Sequence, residues 1–464
     1  MNGPEIFKLT RLTGVWLCLV FLPVWGASWA VGILIPNILS ELGKESSSQS
    51  LFMFISDLCK LLTPILSILV FIPINAMFMV LFERRALAIF TVRMGPNRTG
   101  FDGLAQTAAD AVKLLFKEDI TPTGADALLF TLAPIIFFAP SIFGALPLLA
   151  AITGNHELFQ IVNLPTGVFY ILAAASLPVV ALVMAGWSSN NKYSLVGGLR
   201  AAAQAVSYEI PLVLALVTVC LMAGSLDVVK IAEQQAGGIL NWNILGGGAL
   251  TGLDKAIPAL ISGNSAEWSA TLAKYYPHGF LSALATVALT ISSFILCGLY
   301  LTSACAEINR IPFDLPEAES ELVSGYNTEY SGIKFAIFFL AEFTNLFIVS
   351  SIATVMFFGG GGNPIPQWIL AMLPMEQISA MMNSLLDIPI NKLQLLDPKT
   401  FWNAFWVIVK VYSIVFFAVL VRGTLPRFRI DQLMDFGWKR LVPLALITFM
   451  VVVFARVAVV CHAG

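Results

Sequence analysis

The sequence predicts an all-α fold, a polytopic bundle of transmembrane helices accompanied by amphipathic helices that lie in the membrane interface. Three observations carry this. Of the 464 residues, 58% are hydrophobic, and only 12% are charged, about half the share typical of a soluble domain. Apolar runs of the length needed to cross hydrocarbon, about 20 residues, recur along the whole chain. The 26 basic and 28 acidic residues nearly cancel, which excludes both a basic nucleic-acid-binding surface and an acidic disordered tail.

Nine such runs are expected, at about 13–39, 61–82, 127–152, 163–187, 208–228, 280–304, 334–358, 402–421 and 441–461. The first also has features of a signal peptide, because Lys8 and Arg11 precede it and Ser28-Trp29-Ala30 loosely resembles a cleavage site. Its uncharged stretch from Thr13 to Ser40 favours a retained anchor. Residues 1–50 are therefore read as an N-terminal extension bearing an extra span, and 51–464 as the membrane domain. Lys8, Arg11, the Arg84 to Lys117 group, Lys192, Arg200, Arg310, Lys334 and the Arg422 to Arg440 group fall on one side if the N-terminus is cytoplasmic, as the positive-inside rule prefers. Trp187, Trp402 and Trp438 at span ends suit interfacial anchoring.

Cys18, Cys59, Cys220, Cys297, Cys305 and Cys461 lie mostly in apolar runs, and no two have the spacing of an iron–sulfur or zinc ligand pair. With only three histidines, His156, His278 and His462, the chain is expected to carry no metal, no covalently bound cofactor and no redox centre of its own. Gly246-Gly247-Gly248 and Gly359-Gly360-Gly361-Gly362 read as turns, since neither follows a strand and opens a helix as a nucleotide-binding fingerprint requires.

Function is expected in the inside loops 83–126, 188–207, 305–333 and 422–440, which hold most of the charge. Glu83-Arg84-Arg85 stands at a helix end and leads to Arg93-Met94-Gly95-Pro96-Asn97-Arg98, where Gly-Pro-Asn marks a tight turn. Beyond it Phe101, Leu104, Ala105, Ala108, Val112, Leu115 and Phe116 recur at helical spacing, with Asp110, Lys113 and Lys117 off that stripe. This predicts an interfacial amphipathic helix. The basic cluster fits either lipid headgroup contact or a polar mouth that admits a lipid-like substrate from the bilayer.

The loop that begins at Cys305 concentrates Glu307, Asp314, Glu317, Glu319, Glu321 and Glu329 around Arg310. A helix beginning near Pro316 would place Glu317 and Glu321 on one face, where like charges repel by a few tenths of a kcal/mol. Acids in a first turn also suit the helix dipole, so the segment is either an ordinary solvated helix start or a buried acidic well. Glu209 at the start of one span and Glu342 inside another favour the well. Intramembrane carboxylates are costly and mark ion pathways, and a file of them can exchange protons at working pH.

These loops resemble the H-type membrane subunit of the proton-pumping NADH–quinone oxidoreductase, respiratory complex I, from about residue 55 to 461. The resemblance rests on three blocks: Glu83-Arg84-Arg85 with Arg93 to Arg98 and Leu114 to Asp119; Gly186-Trp187-Ser188-Ser189-Asn190-Asn191-Lys192-Tyr193-Ser194-Leu195 with Ser207-Tyr208-Glu209; and Pro312 to Glu319 through Thr328-Glu329-Tyr330-Ser331-Gly332. It implies eight family spans behind the extra leading one. It further implies a quinone chamber formed with two peripheral subunits, quinone as substrate, and flavin and iron–sulfur clusters held by partner subunits. A bacterial-type inner (plasma) membrane is the implied location. Ubiquinone and menaquinone stay equally open.

The roles implied place Glu83, Arg84, Arg85, Arg93, Arg98, Gln106, Asp110 and Lys113 at the quinone entrance. Arg200 and Phe313 belong where the chamber meets the membrane. Glu209, Glu307, Asp314, Glu317, Glu319, Glu321, Glu329 and Glu342 are the implied proton-coupling acids. Some relatives carry a glutamate in the third family span, where this chain has the apolar Ala174-Ala175-Ser176-Leu177-Pro178. The outside segments 229–279 and 359–401 depart from the common pattern and are expected to cover the outer face or grip a neighbour. Two rival readings are a component of an energy-converting hydrogenase-type complex and a stand-alone cation transporter.

Overall fold

The computed structural model describes residues 49–153, 164–247, 252, 255, 280–316, 319–366 and 398–460. The expected leading span 13–39 and Glu317 lie outside the described residues, as do most of 248–279 and all of 367–397. Within the described part the chain is an all-α bundle with eight helices long and apolar enough to cross a membrane.

In chain order the helices are α1 (Gln49–Phe90), α2 (Gln106–Phe116), α3 (Ala127–Thr153), α4 (Gly167–Ser188), α5 (Lys192–Ala223), α6 (Val228–Gln234), α7 (Phe280–Glu307), α8 (Glu319–Leu322), α9 (Gly332–Phe357), α10 (Pro398–Thr424), α11 (Ile430–Phe436) and α12 (Val442–Val460). A π-helical turn, Gly437–Leu441, joins α11 to α12 into one span. α3 packs along α4, α4 along α5, α5 along α7 and α7 along α12, while α9 crosses against α3, α1 and α10.

Lipid is as apolar as leucine, so hydrophobicity alone does not press these helices together. Close approach and interhelical hydrogen bonds do. α4 and α5 meet at glycines: a Cβ on Gly198 would stand 2.9 Å from Leu182 O and 3.3 Å from Gly186 Cα. α1 and α10 share a buried hydrogen bond from Tyr412 to Asn75 Oδ1, 2.7 Å long, beside Phe78 and Phe82. Such a bond contributes about 0.6 kcal/mol on average.

One expected boundary moves. The span read as 208–228 belongs to a 32-residue helix that starts at Lys192, so most of the loop expected at 188–207 is helical and Arg200 stands on α5. Asn191 caps this helix by accepting from Tyr193 N, and Gly224, at φ +72°, ends it. The amphipathic stripe gives α2, with Val112, Leu115 and Phe116 turned away from the bundle.

Candidate functional site

The charged loops gather at one end of the bundle, and Glu83 is their hub. It sits on α1, about two turns before that helix ends, and is buried. Its carboxylate accepts from Arg310, at 3.1 and 2.8 Å, and from Arg422. Arg310 also lies over the Phe343 ring of α9, 4.2 Å from its centroid. Three segments far apart in sequence thus close on one carboxylate.

Around this hub the first loop folds back on itself. Arg85, also buried, donates to Pro96 O at 3.2 Å. Gly103 holds φ +73° with its α-carbon so close to Pro96 that a Cβ would come within 2.4 Å of the Pro96 oxygen, so only glycine fits. Arg84 reaches Asp110 of α2 at 2.7 Å, Gln106 donates to the same carboxylate at 3.3 Å, and Thr99 donates to Gln106. Arg93, Arg98 and Lys113 are exposed. Together these groups make a positive rim, bonded on its inner side and open on its outer one.

The acidic loop is distributed rather than collected. Arg200 pairs with Glu321 at 2.6 Å, with the Glu321 side chain about half exposed. Asn191 donates to Glu329 at 2.6 Å. Asp314 accepts from Arg427 at 2.8 Å but is mostly buried, and its Oδ1 has no hydrogen-bond partner. Burial pushes the Asp314 carboxyl above the usual carboxylate range, against the pull of Arg427, Arg422 and Arg310. Gln204 of α5 anchors the loop by donating to Ala306 O and Phe313 O, both at 2.7 Å. Phe313 itself is packed among Tyr208, Phe428 and Phe436. Glu319 starts α8.

Two of the expected acids do meet. Glu307, the last residue of α7, and Glu342 of α9 line one cavity of about 80 Å³ between α3, α4, α5, α7 and α9, and Phe313 takes no part in its wall. That volume exceeds the roughly 10–15 Å³ that one water needs and leaves room for two or three at about 30 Å³ each. Asn309, Asn345, Ser141 and Tyr300 add polar groups, and Ser141 donates to Asn345. Tyr326, fully buried, donates to Glu342 Oε1 at 2.8 Å. Ala205, Leu212 and Leu216 of α5 also line the cavity. Glu209 shares their helical face and is close enough to Glu307 for their charges to interact.

The α4 wall of the cavity is apolar. Ala174, Ala175 and Pro178 contribute there, and Ser176 donates its hydroxyl to Ala173 O. Sequence reasoning did not single out Tyr326, Asn345 or Arg422 in this site. Arg422 carried a signal as the first cation after a span, but its partner could not be read from spacing. Among the described residues no three His, Cys, Asp or Glu side chains are grouped to hold a metal ion.

Fold and site define a multi-pass membrane protein that keeps ionisable side chains beside an internal, largely apolar cavity and joins them to a charged, loop-rich end. The family model for NADH dehydrogenase matches residues 63–453, and the chain belongs to that family. It is a complex I-type membrane subunit and part of a multi-subunit oxidoreductase assembly.

Proposed function

We propose that this chain is the H-type membrane component of a proton-pumping NADH–quinone oxidoreductase. In this reading it forms the membrane side of the quinone-access chamber and starts the acidic path that couples quinone reduction to proton transfer. The charged end faces the cytoplasm of a bacterial-type inner membrane. Partner subunits supply the flavin, the iron–sulfur clusters and the rest of the chamber.

The observation that carries this reading is the shared carboxylate. Glu83 belongs to the rim where an amphipathic quinone would approach, and its partner Arg310 is three residues from Glu307 on the cavity wall. A negative charge arriving on reduced quinone near Arg84, Arg85, Arg93 or Arg98 perturbs the Glu83, Arg310 and Arg422 cluster. That perturbation reaches Glu307, Glu209 and Glu342 through electrostatics. Moving one proton against 100 mV costs about 2.3 kcal/mol and one pKa unit is about 1.4 kcal/mol, so changes of about two units at one or two acids suffice.

The test is Glu307→Gln and Glu342→Gln in the assembled complex, measuring quinone reductase activity and the proton-to-electron ratio. Both variants are expected to lower activity or its coupling. Wild-type ratios in both would refute the assignment. Gentle-detergent purification through a tag on this chain is expected to bring flavin and iron–sulfur subunits with it.

A further inference from the structure

The end of α9 opposite the charged loops presents a second buried ion, and the quinone-site reading makes no use of it. A helix leaves its last carbonyls without intrahelical donors, and inside a membrane each unsatisfied one costs several kcal/mol. Here side chains brought from elsewhere supply the donors. Gln235, just after α6, donates to Val355 O at 2.9 Å, and Asn243 donates to Met356 O at 2.8 Å. Thr354 O accepts from the backbone of Phe358 and Gly360.

Lys410 of α10 completes the set. Its Nζ donates to Phe358 O at 2.8 Å, Gly360 O at 2.9 Å and Gly362 O at 2.7 Å, and sits 4.5 Å from the centroid of the Trp242 ring. The side chain is buried, and among the described residues no carboxylate pairs with it. A neutral amine has two N–H groups and a lone pair, so it would turn that lone pair on one of the three oxygens. Only an ammonium, with three donors, satisfies all three. Gly359 and Gly360 hold φ +73° and +51°, backbone that lets alternate carbonyls converge on one point.

We propose that this is a cation site of the fold: a cage of three peptide oxygens and an aromatic face, filled by the protein's own tethered ammonium, which accepts a free ammonium or methylammonium ion once the side chain is cut back. The tether fastens the far end of α9, the helix that bears Glu342, to α10, the helix that bears Arg422. A largely apolar cavity of about 410 Å³, bordered by Trp242, Phe358, Trp406 and Ser413, lies beside Lys410 and leaves room at the cage.

The experiment is thermal melting of the detergent-purified complex carrying Lys410→Ala, in ammonium, methylammonium or tetramethylammonium chloride at equal ionic strength. The variant is expected to melt below wild type. Ammonium and methylammonium should recover most of the loss. Tetramethylammonium, charged but without N–H donors, should recover none, and wild type should respond alike to all three salts. Wild-type melting of the variant, or an equal response of the variant to the three cations, overturns the proposal. If Lys410→Ala does not assemble, Lys410→Arg decides. A planar guanidinium keeps the charge but cannot aim three donors from one nitrogen, so lowered melting or failed assembly supports the cage and wild-type melting overturns it.

Discussion

Arg310 and Glu83 are 227 residues apart in sequence, yet Arg310 Nη1 lies within hydrogen-bonding distance of both Glu83 oxygens. With Arg422 on the same carboxylate, removal of the acid takes the shared negative charge from two arginines, of which Arg310 is mostly buried. Removing one partner of a buried pair costs about 3–5 kcal/mol. Glu83→Gln is therefore expected to lower the melting temperature of the solubilised protein strongly. Glu321→Gln, which breaks a pair with a half-exposed acid, should cost only about 0.2–1 kcal/mol. Equal losses in the two variants would show that the hub is not buried as described.

The α5 glycines set the position of the turn that carries Tyr326. A Cβ on Gly197 would come within 2.8 Å of both Gly325 Cα and Tyr326 N, and those are backbone atoms that cannot swing aside. Gly197→Ala should destabilise by about 1–3 kcal/mol, the usual range for overpacking. It should also reduce coupling, because the displaced Tyr326 loses its hold on Glu342. Melting and proton-to-electron ratios measured together check both halves of this expectation.

Tyr326→Phe isolates the hydrogen bond itself. Such a bond contributes about 0.5–1.5 kcal/mol. The proton-to-electron ratio should fall while the fold persists, since Phe keeps the ring against Phe338. A wild-type ratio would remove Tyr326 and Glu342 from the coupling path.

Asp314 gives stability a predictable pH dependence. Burial raises its carboxyl above the usual range, so the folded protein holds this proton more tightly than the unfolded chain. The contribution is present in full below the ordinary carboxylate value and is lost as pH rises through the raised one. Relative to Asp314→Asn, which cannot titrate, wild type should therefore lose melting temperature with rising pH. Arg427→Met removes the nearest opposing charge and should extend the loss to higher pH. A flat difference between wild type and Asp314→Asn would contradict this.

The eight described spans were legible because hydropathy windows register the slab of hydrocarbon a helix must cross. They misplace the start of α5 for the same reason. Lys192, Arg200, Gln204 and Ser207 interrupt the apolar run without interrupting the helix, since helicity continues into the polar region where such side chains find partners. Glu209 and Glu342 stood out as acids at or within spans, and Glu307 as an acid of the loop beginning at Cys305, which the structure instead places at the end of α7. The partners of Glu83 did not, because an ion pair between α1 and residues 227 and 339 positions onward leaves no periodic trace. Lys410 did leave one, a lone charge inside the 402–421 run, and the Gly359 to Gly362 turn read from composition is where that charge is received.

The prolines along the cavity have a bearing on the missing glutamate of α4. An imino acid within a helix leaves the peptide oxygen four residues earlier without its usual donor, here at Ile136 for Pro140 and at Ala174 for Pro178, and both prolines border the cavity. The apolar side of the chamber thus includes peptide oxygens that lack a helix donor. On the proposed coupling reading, hydrogen ions passing α4 would need no titrating side chain there, because water ordered by such an oxygen would relay them.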